Sequence, residues 1–378
     1  MRKKKLNLLL TIIAVVLGSA CQPDKRALTL VGTTEAKNYL TQAGPAPSNR
    51  EPITIAAVGD IMLGSTFPNE SRMPPNDAAD SLKEVTPILS AADIAFGNLE
   101  GPMLEGGTSV KCGNRPNCFA FRVPTRYGKH LKAAGFDVLS LANNHAGDFG
   151  DYGRSSTRKV LDELGIKHVG SDKDQFASTI LEVRGKKIAF IGFAFNNISL
   201  NINDLETARR VVSEQAKKAD LVVVSFHGGA EGSGATRVPN KTEIFFGEAR
   251  GNEPAFAHAV IDAGADLVLG HGPHVLRGME IYKGHLIAYS LGNFATYGWF
   301  QLAGATAETM VLEVTIGPDG KFLRGKINPV RIEGRGIPVL DTKTRSAIAT
   351  VRNLSTADFG INAPLINDDG TISPNKSP

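Results

Sequence analysis

Side chains able to bind metal or move protons fall in six short clusters, each just after a run of aliphatic residues. VGDIMLGS carries Asp60, FGNLEGP carries Asn98 and Glu100, and LANNHAGDFG carries Asn143, Asn144, His145 and Asp148. FHGGAEG carries His227 and Glu231, LGHGPHV carries His271 and His274, and YSLGNF carries Asn293. Neutral imidazoles and carboxylates together are the ligand set of zinc, manganese or iron. A centre of one or two such ions activates water and clamps the oxygens of a displaced group, and Glu231 could serve beside it as a general base.

Each cluster also has a plainer account. Asp60 could cap a turn, Asn98 and Glu100 could be loop polars, and residues 143–145 could form an Asx turn. His227 with Glu231 could be a surface ion pair, and His271 with His274 a capping turn before a strand. The shared position of all six clusters favours one site, because open α/β sheets gather their ligand residues at strand C-termini. His130, His168, His258 and His285 fall in helical, amphipathic or hairpin contexts and read as structural. The chain has no G-x-S-x-G elbow, no phosphate-binding G-x-x-x-x-G-K-[ST] loop and no H-E-x-x-H.

The aliphatic runs define the elements that must position these clusters. ITIAAVG (53–59), DIAFGNL (93–99), DVLSLAN (137–143), KIAFIGFAF (187–195), DLVVVSFHG (220–228) and DLVLG (266–270) read as strands, several apolar on consecutive residues as in sheets covered on both faces. Helical patterns fall between them at 78–90, 125–135, 153–164, 204–218 and 253–264, so the domain is a layered α/β fold. After residue 275 two hairpins are expected, turning at Lys283-Gly284 and at Pro318-Asp319-Gly320, which adds antiparallel strands to a mixed sheet.

Residues 1–20 form an export signal: Arg2 and Lys3 to Lys5, then apolar Leu6 to Leu17, then small residues before Cys21. The apolar stretch is shorter than the roughly 20 residues that span a bilayer. Leu17-Gly18-Ser19-Ala20-Cys21 resembles a bacterial lipoprotein box, which implies lipidation at Cys21, a lipid anchor to the membrane and a place in the cell envelope. Without the four signal cations the chain has 38 Lys+Arg against 38 Asp+Glu, so no basic excess points to nucleic acid. Cys112 and Cys118 remain as an even pair, expected to form a disulfide in an oxidising compartment. Residues 21–50 read as a flexible tether, 51–365 as one domain and 366–378 as a polar, frayed tail.

The ordered series GDIML, GNLEGP, NNHAGDFG, HGGAE, GHGPHV and YSLGNF resembles the bacterial capsule-synthesis CapA family, associated with poly-gamma-glutamate, over about residues 53–360. That family is similar to the calcineurin-type metallophosphoesterases. The resemblance implies a four-layer αββα sandwich with mixed sheets and a cleft for one or two divalent metal ions (Mn, Zn or Fe). It implies Asp60, Asn144, His227, His271 and His274 as metal ligands and His145 near the leaving group; Glu100 is expected to join the ligands, and His145 or Glu231 to move a proton. Asn98, Asn143, Asp148 and Asn293 are then expected to touch substrate. The implied partner is an anionic polymer such as poly-gamma-glutamate, with a membrane synthesis complex nearby; a non-catalytic polymer-binding component and a phosphoesterase are the rival readings. The chain departs from the phosphoesterase pattern at Met62, at the Asn98/Glu100 pair and in the three-residue spacing of His271 and His274.

Overall fold

The computed structural model describes residues 51–112, 118–298 and 301–375. The expected signal, tether and Cys21 lie outside the described residues. Strands β1 (Ile53–Met62), β2 (Ile94–Leu99), β3 (Val138–Ser140) and β4 (Lys167–Val169) form a parallel run. The chain then builds a second sheet from β5 (Ser178–Val183), β6 (Lys186–Ala194), the short β7 (Leu200–Asn201) and β8 (Leu221–His227). A separate two-stranded hairpin follows, β9 (Glu243–Phe245) with β10 (Glu248–Gly251). β11 (Leu267–His271), β12 (Met279–Tyr282) and β13 (His285–Ala288) complete the second sheet. The first sheet regains the chain at β14 (Asn293–Thr296), β15 (Glu308–Ile316), β16 (Phe322–Glu333) and β17 (Ile337–Leu340), and ends with β18 (Leu365–Ile366) and β19 (Thr371–Ser373).

Alternation along the strands sorts the core into layers. In β8, Leu221 and Val223 face the first sheet's Ile53, Ile55 and Phe96, while Val222, Val224 and Phe226 pack under helices. In β1, Ile55 and Ala57 face the second sheet while Ala56 and Val58 face the helices on the other side. Both faces of both sheets are therefore apolar, and two sheets lie between two helical layers, an αββα arrangement. Helices α1 (Thr86–Leu89), α2 (Gly128–Ala133) and α3 (Gly150–Glu163) contribute Leu89, Leu131 and Leu161 to the first outer layer. Helices α4 (Leu205–Ala216) and α5 (Glu253–Asp262) contribute Val212 and Phe256 to the second. Helix α6 (Ser346–Phe359) instead sends Ile348 and Val351 into the core between the sheets.

Several expectations are corrected here. The helix expected at 78–90 is a chain of turns leading to the four-residue α1, because Pro87 lacks an amide hydrogen and fits only a first helical turn. The strand expected at 137–143 leaves the ladder after Ser140. The segment from 366, read as a frayed tail, supplies β19, which pairs with β16 through Gly325 and Lys326. Among the described residues no helix is long and apolar enough to cross a membrane.

Candidate metal centre

The parallel strands of both sheets deliver the polar clusters to one edge. In β1 and its neighbours Asp60 stands in register with Asn98 on one side and Asn293 on the other. In the second sheet His227 and His271 are in register on adjacent strands. The close approach of β1 to β14 requires glycine at 59, where a Cβ would stand 2.0 Å from the Gly292 carbonyl oxygen. His274 has φ 59°, a left-handed conformation rare for a side-chain-bearing residue, and such strain is typical of functional sites.

Two buried carboxylates organise the imidazoles. Asp60 Oδ2 is 2.9 Å from His274 Nδ1, and its Oδ1 accepts a bond from Asn98 Nδ2 at 2.8 Å and lies 3.5 Å from His271 Nδ1. Glu100 Oε1 lies 3.6 Å from His227 Nε2, 3.7 Å from His274 Nε2 and 4.0 Å from His145 Nε2. Both Glu100 oxygens, His227 Nε2, both His271 ring nitrogens, Asn144 Oδ1 and Asn293 Oδ1 are buried without a hydrogen-bond partner. Nearly all buried polar atoms in proteins are paired, so this concentration calls for a ligand.

The donor set fits a divalent ion. Ligand atoms about 2.1 Å from one zinc ion lie about 3 to 3.5 Å from each other, close to the separations around Glu100 Oε1. One ligand atom each from Asp60, Glu100 and His274 falls within a 4.8 Å group. His274 can offer Nε2 on the Glu100 side while Asp60 holds Nδ1, the carboxylate–histidine–metal pattern that fixes ring orientation.

The electrostatics follow from burial and charge. Burial raises the Asp60 carboxyl, but the close approach of His271, the bond to His274 and the nearby imidazole charges outweigh it and hold Asp60 far below the usual carboxylate range. Burial pushes Glu100 well up, aided by the charges of Asp60 and Glu231 and opposed by His274 and Lys111. Burial would lower His274, yet Glu100, Asp60 and Glu231 together push it up to about 10. His227 is driven well down by burial and by the charges of His274, His271 and Arg250, with Asp60 opposing.

His145 sits at the wall of the site. Its Nδ1 is 2.8 Å from Asp148 Oδ2, so that nitrogen carries the proton and Nε2 points toward Glu100 as an acceptor. Phe121 stacks on the ring at 4.0 Å, and Lys111 Nζ is 3.2 Å from Asp148 Oδ1. Burial lowers His145 below its ordinary value, against the raising effect of Asp148. The neutral imidazole can therefore take a proton at Nε2, and can give it up again once the ring is charged.

The structure relocates other candidates. Asn98 is fully buried and bonds Asp60 while approaching His227 at 3.3 Å; Asn143 donates to Asn98 and accepts from the His145 amide; Asp148 is fully buried behind His145. None of the three is among the residues lining the cleft, and the bonds they make brace Asp60 and the His145 loop. Asn293 does line it, with Nδ2 tied to the His274 and Thr306 carbonyls. Glu231 reaches the cleft wall ion-paired to Arg250 at 2.6 Å. Met62 packs into the apolar layer under the helices and offers no ligand. Cys112 and Cys118 are disulfide-bonded. His130, His168, His258 and His285 have partners elsewhere in the fold, such as Glu280 for His258.

The cleft above these residues holds about 1030 Å³ and also contains Lys111, Phe195, Phe245, Phe246 and Arg250, which reading the sequence missed. The alternation in EIFFGEARG, with Phe-Gly at its centre, is the one local signal that marks this hairpin.

A sequence profile described as "Bacterial capsule synthesis protein PGA_cap" matches residues 54–297. "Capsule biosynthesis protein CapA" of Bacillus anthracis is 31% identical over 72% of this chain and 67% of its own length. "PGA biosynthesis protein CapA" of Bacillus subtilis is 32% identical over 65% of this chain and 64% of its own. The chain thus spans about two thirds of the length of these relatives. A "Probable polyglutamine synthesis accessory protein" of Mycobacterium tuberculosis is 27% identical over 83% of this chain and 86% of its own.

Proposed function

Because the chain belongs to the bacterial capsule synthesis protein family, we propose that it acts in the synthesis, processing or export of poly-gamma-glutamate or a related anionic envelope polymer, through a divalent-metal cleft. The names of its relatives support the polymer. The observation that carries the metal is Glu100, a fully buried carboxylate with no hydrogen-bond partner and three imidazole Nε2 atoms within 4.0 Å. Burying an unpaired carboxylate costs several kcal/mol, so its place in the fold makes sense with a cation beside it.

Glu100, His227 and His274 would hold an ion on one side, with Asp60 and His271 on the other and Asn144 at the cleft wall. The chemistry a divalent ion supplies is Lewis acidity toward a carbonyl or phosphoryl oxygen and acidification of water. The chain's own part is to place the substrate and to move a proton at His145 Nε2, with Asp148 holding the ring. Asn98 and Asn143 keep Asp60 and the His145 loop in register.

The test is turnover of gamma-glutamyl peptides and of bis-p-nitrophenyl phosphate with added Mn or Zn. Amide cleavage abolished by His145→Ala supports the processing role. Cleavage of the phosphodiester alone supports a phosphoesterase acting on envelope phosphoesters. No turnover with retained polymer binding supports a non-catalytic assembly component.

We also propose export by residues 1–20 and lipid anchoring at Cys21, which would set the domain on a tether beside a membrane synthesis complex. Incorporation of labelled fatty acid, lost in Cys21→Ser, supports the anchor; an unlabelled secreted protein removes it.

A further inference from the structure

The β9–β10 hairpin is an anomalous piece of the cleft wall. Its turn residues Phe246 and Gly247 have φ 49° and 79°, the paired left-handed turn normally made by Asn and Gly. A phenylalanine is strained there, and its ring does not recover the cost by packing, since Phe246 is 87% exposed. Phe245 lies beside it with ring centroids 4.4 Å apart. Both residues line the same cleft as His145 and His274.

The hairpin is held firmly at its root. Fully buried Arg277 donates to both Glu243 oxygens at 2.7 and 3.0 Å and to Glu253 at 2.8 Å. Arg250, on the second strand, pairs with Glu231 at 2.6 Å and Glu248 at 2.8 Å, and its guanidinium lies 3.9 Å over the Phe195 ring. The exposed rings are therefore presented by a fixed support.

The charged side chains of the wall are largely matched to one another and do not by themselves supply a grip on a polyanion. Among the described residues, Lys111 and Arg250 on the cleft wall are each paired with a carboxylate, His274 stands between Asp60 and Glu100, and Glu231 and Glu248 line the cleft as well. Below them stand Asp60 and Glu100. Beside an ion held by those ligands, the cleft offers among the described residues an apolar surface of Phe119, Phe121, Phe195, Phe245 and Phe246. A chain that suits both parts carries carboxylates and, between its amides, apolar methylene stretches.

We propose that Phe245 and Phe246 form an aromatic clamp that packs on the methylene stretches of an extended, gamma-linked glutamyl chain entering the cleft. This rests on the polymer reading given above. Longer oligomers bind more tightly than a single unit, and binding persists in high salt because ring contact, not screened charge, supplies the grip.

Calorimetric titration of a gamma-linked glutamate hexamer into the Mn-loaded protein tests it, using wild type, Phe246→Tyr and Phe246→Gly. Glycine relieves the positive φ, so Phe246→Gly is expected to melt no lower than wild type and to keep its metal content. It is expected to bind the hexamer about tenfold more weakly, the worth of one lost ring contact, while Phe246→Tyr binds like wild type. Unchanged hexamer affinity in Phe246→Gly overturns the clamp. So does wild type that sediments with anionic-lipid vesicles through Phe246 while hexamer affinity ignores the substitution, which makes the tip a membrane contact. A wild type that binds no hexamer overturns the polymer reading along with the clamp.

Discussion

His274 Nδ1 lies 2.9 Å from Asp60 Oδ2 although 214 residues separate them, and His274 Nε2 lies 3.7 Å from Glu100. One imidazole thus bridges two buried carboxylates, and in the metal-free protein a proton on it stands where a cation is called for.

That proton gives metal uptake a pH dependence. His274 is pushed up to about 10 by Glu100, Asp60 and Glu231 against the opposing effect of burial. In the metal-free protein the resulting stability is complete below the unfolded value of about 6.5 and is lost as pH rises through about 10. Metal binding must release this proton and the one that burial favours on Glu100, so affinity for Zn or Mn is expected to rise by at least about tenfold per pH unit between pH 6 and 9. Competition titration with a chelating dye at several pH values measures this, and a flat profile contradicts it.

Glu100→Gln is expected to separate folding from metal binding. The substitution removes the desolvation cost of a buried carboxylate without a hydrogen-bond partner but also one charge that holds the His274 proton, so the metal-free melting temperature should change little while Asp60 keeps its bond to His274. Metal affinity should drop by at least about 100-fold, since an amide is a poor ligand for zinc. Differential scanning calorimetry with and without metal reads both effects; a large metal-free destabilisation would mean that Glu100 is paired structurally.

Asp148→Asn should disturb His145 without touching the carboxylates around the ion. Loss of the acceptor at 2.8 Å removes what fixes the proton on Nδ1, and the His145 pKa, already lowered by burial, should fall further. If the cleft is catalytic, turnover should fall by about 10² to 10⁴, as for other aspartates that orient a histidine. Nitrogen-15 NMR of the imidazole gives the tautomer directly, and an unchanged Nδ1–H signal would count against this role.

The disulfide between Cys112 and Cys118 follows Lys111 and precedes Phe119, both of which line the cleft. Reduction, or Cys112→Ser with Cys118→Ser, should cost about 2 kcal/mol through the short closed loop. Calorimetry with and without a reductant measures the shift, and no change in melting temperature would show that the bond contributes nothing.

Much of this architecture was legible in the sequence because β1, β2, β6, β8 and β11 are apolar on consecutive residues, the mark of strands covered on both faces. Helix α6 escaped notice because its inward face is only Ala347, Ile348, Val351 and Ser355, too sparse for a clear helical period. Strands β18 and β19 were hidden by polar composition, since their pairing depends on β16, a partner far away in the chain.

The residue types at the centre were legible from their strand-end positions, but the direction each side chain faces was not. Asn98 and Asn143 look like substrate contacts in isolation, yet the ladder turns Asn98 inward to Asp60, and Asn143, just past the end of β3, braces Asn98 and the His145 loop. Phe246 carries no chemical signature of its own, and only the hairpin brings it to the cleft.

The central claim, a divalent-metal centre on two buried carboxylates and their imidazoles, is tested most directly by elemental analysis of purified wild-type protein and of His227→Ala/His274→Ala. The account expects one or two equivalents of Mn, Zn or Fe in wild type, a melting temperature that rises when metal is added after chelation, and loss of both in the double variant. Wild-type protein that holds no metal and shows no thermal response to Zn, Mn or Fe would contradict it.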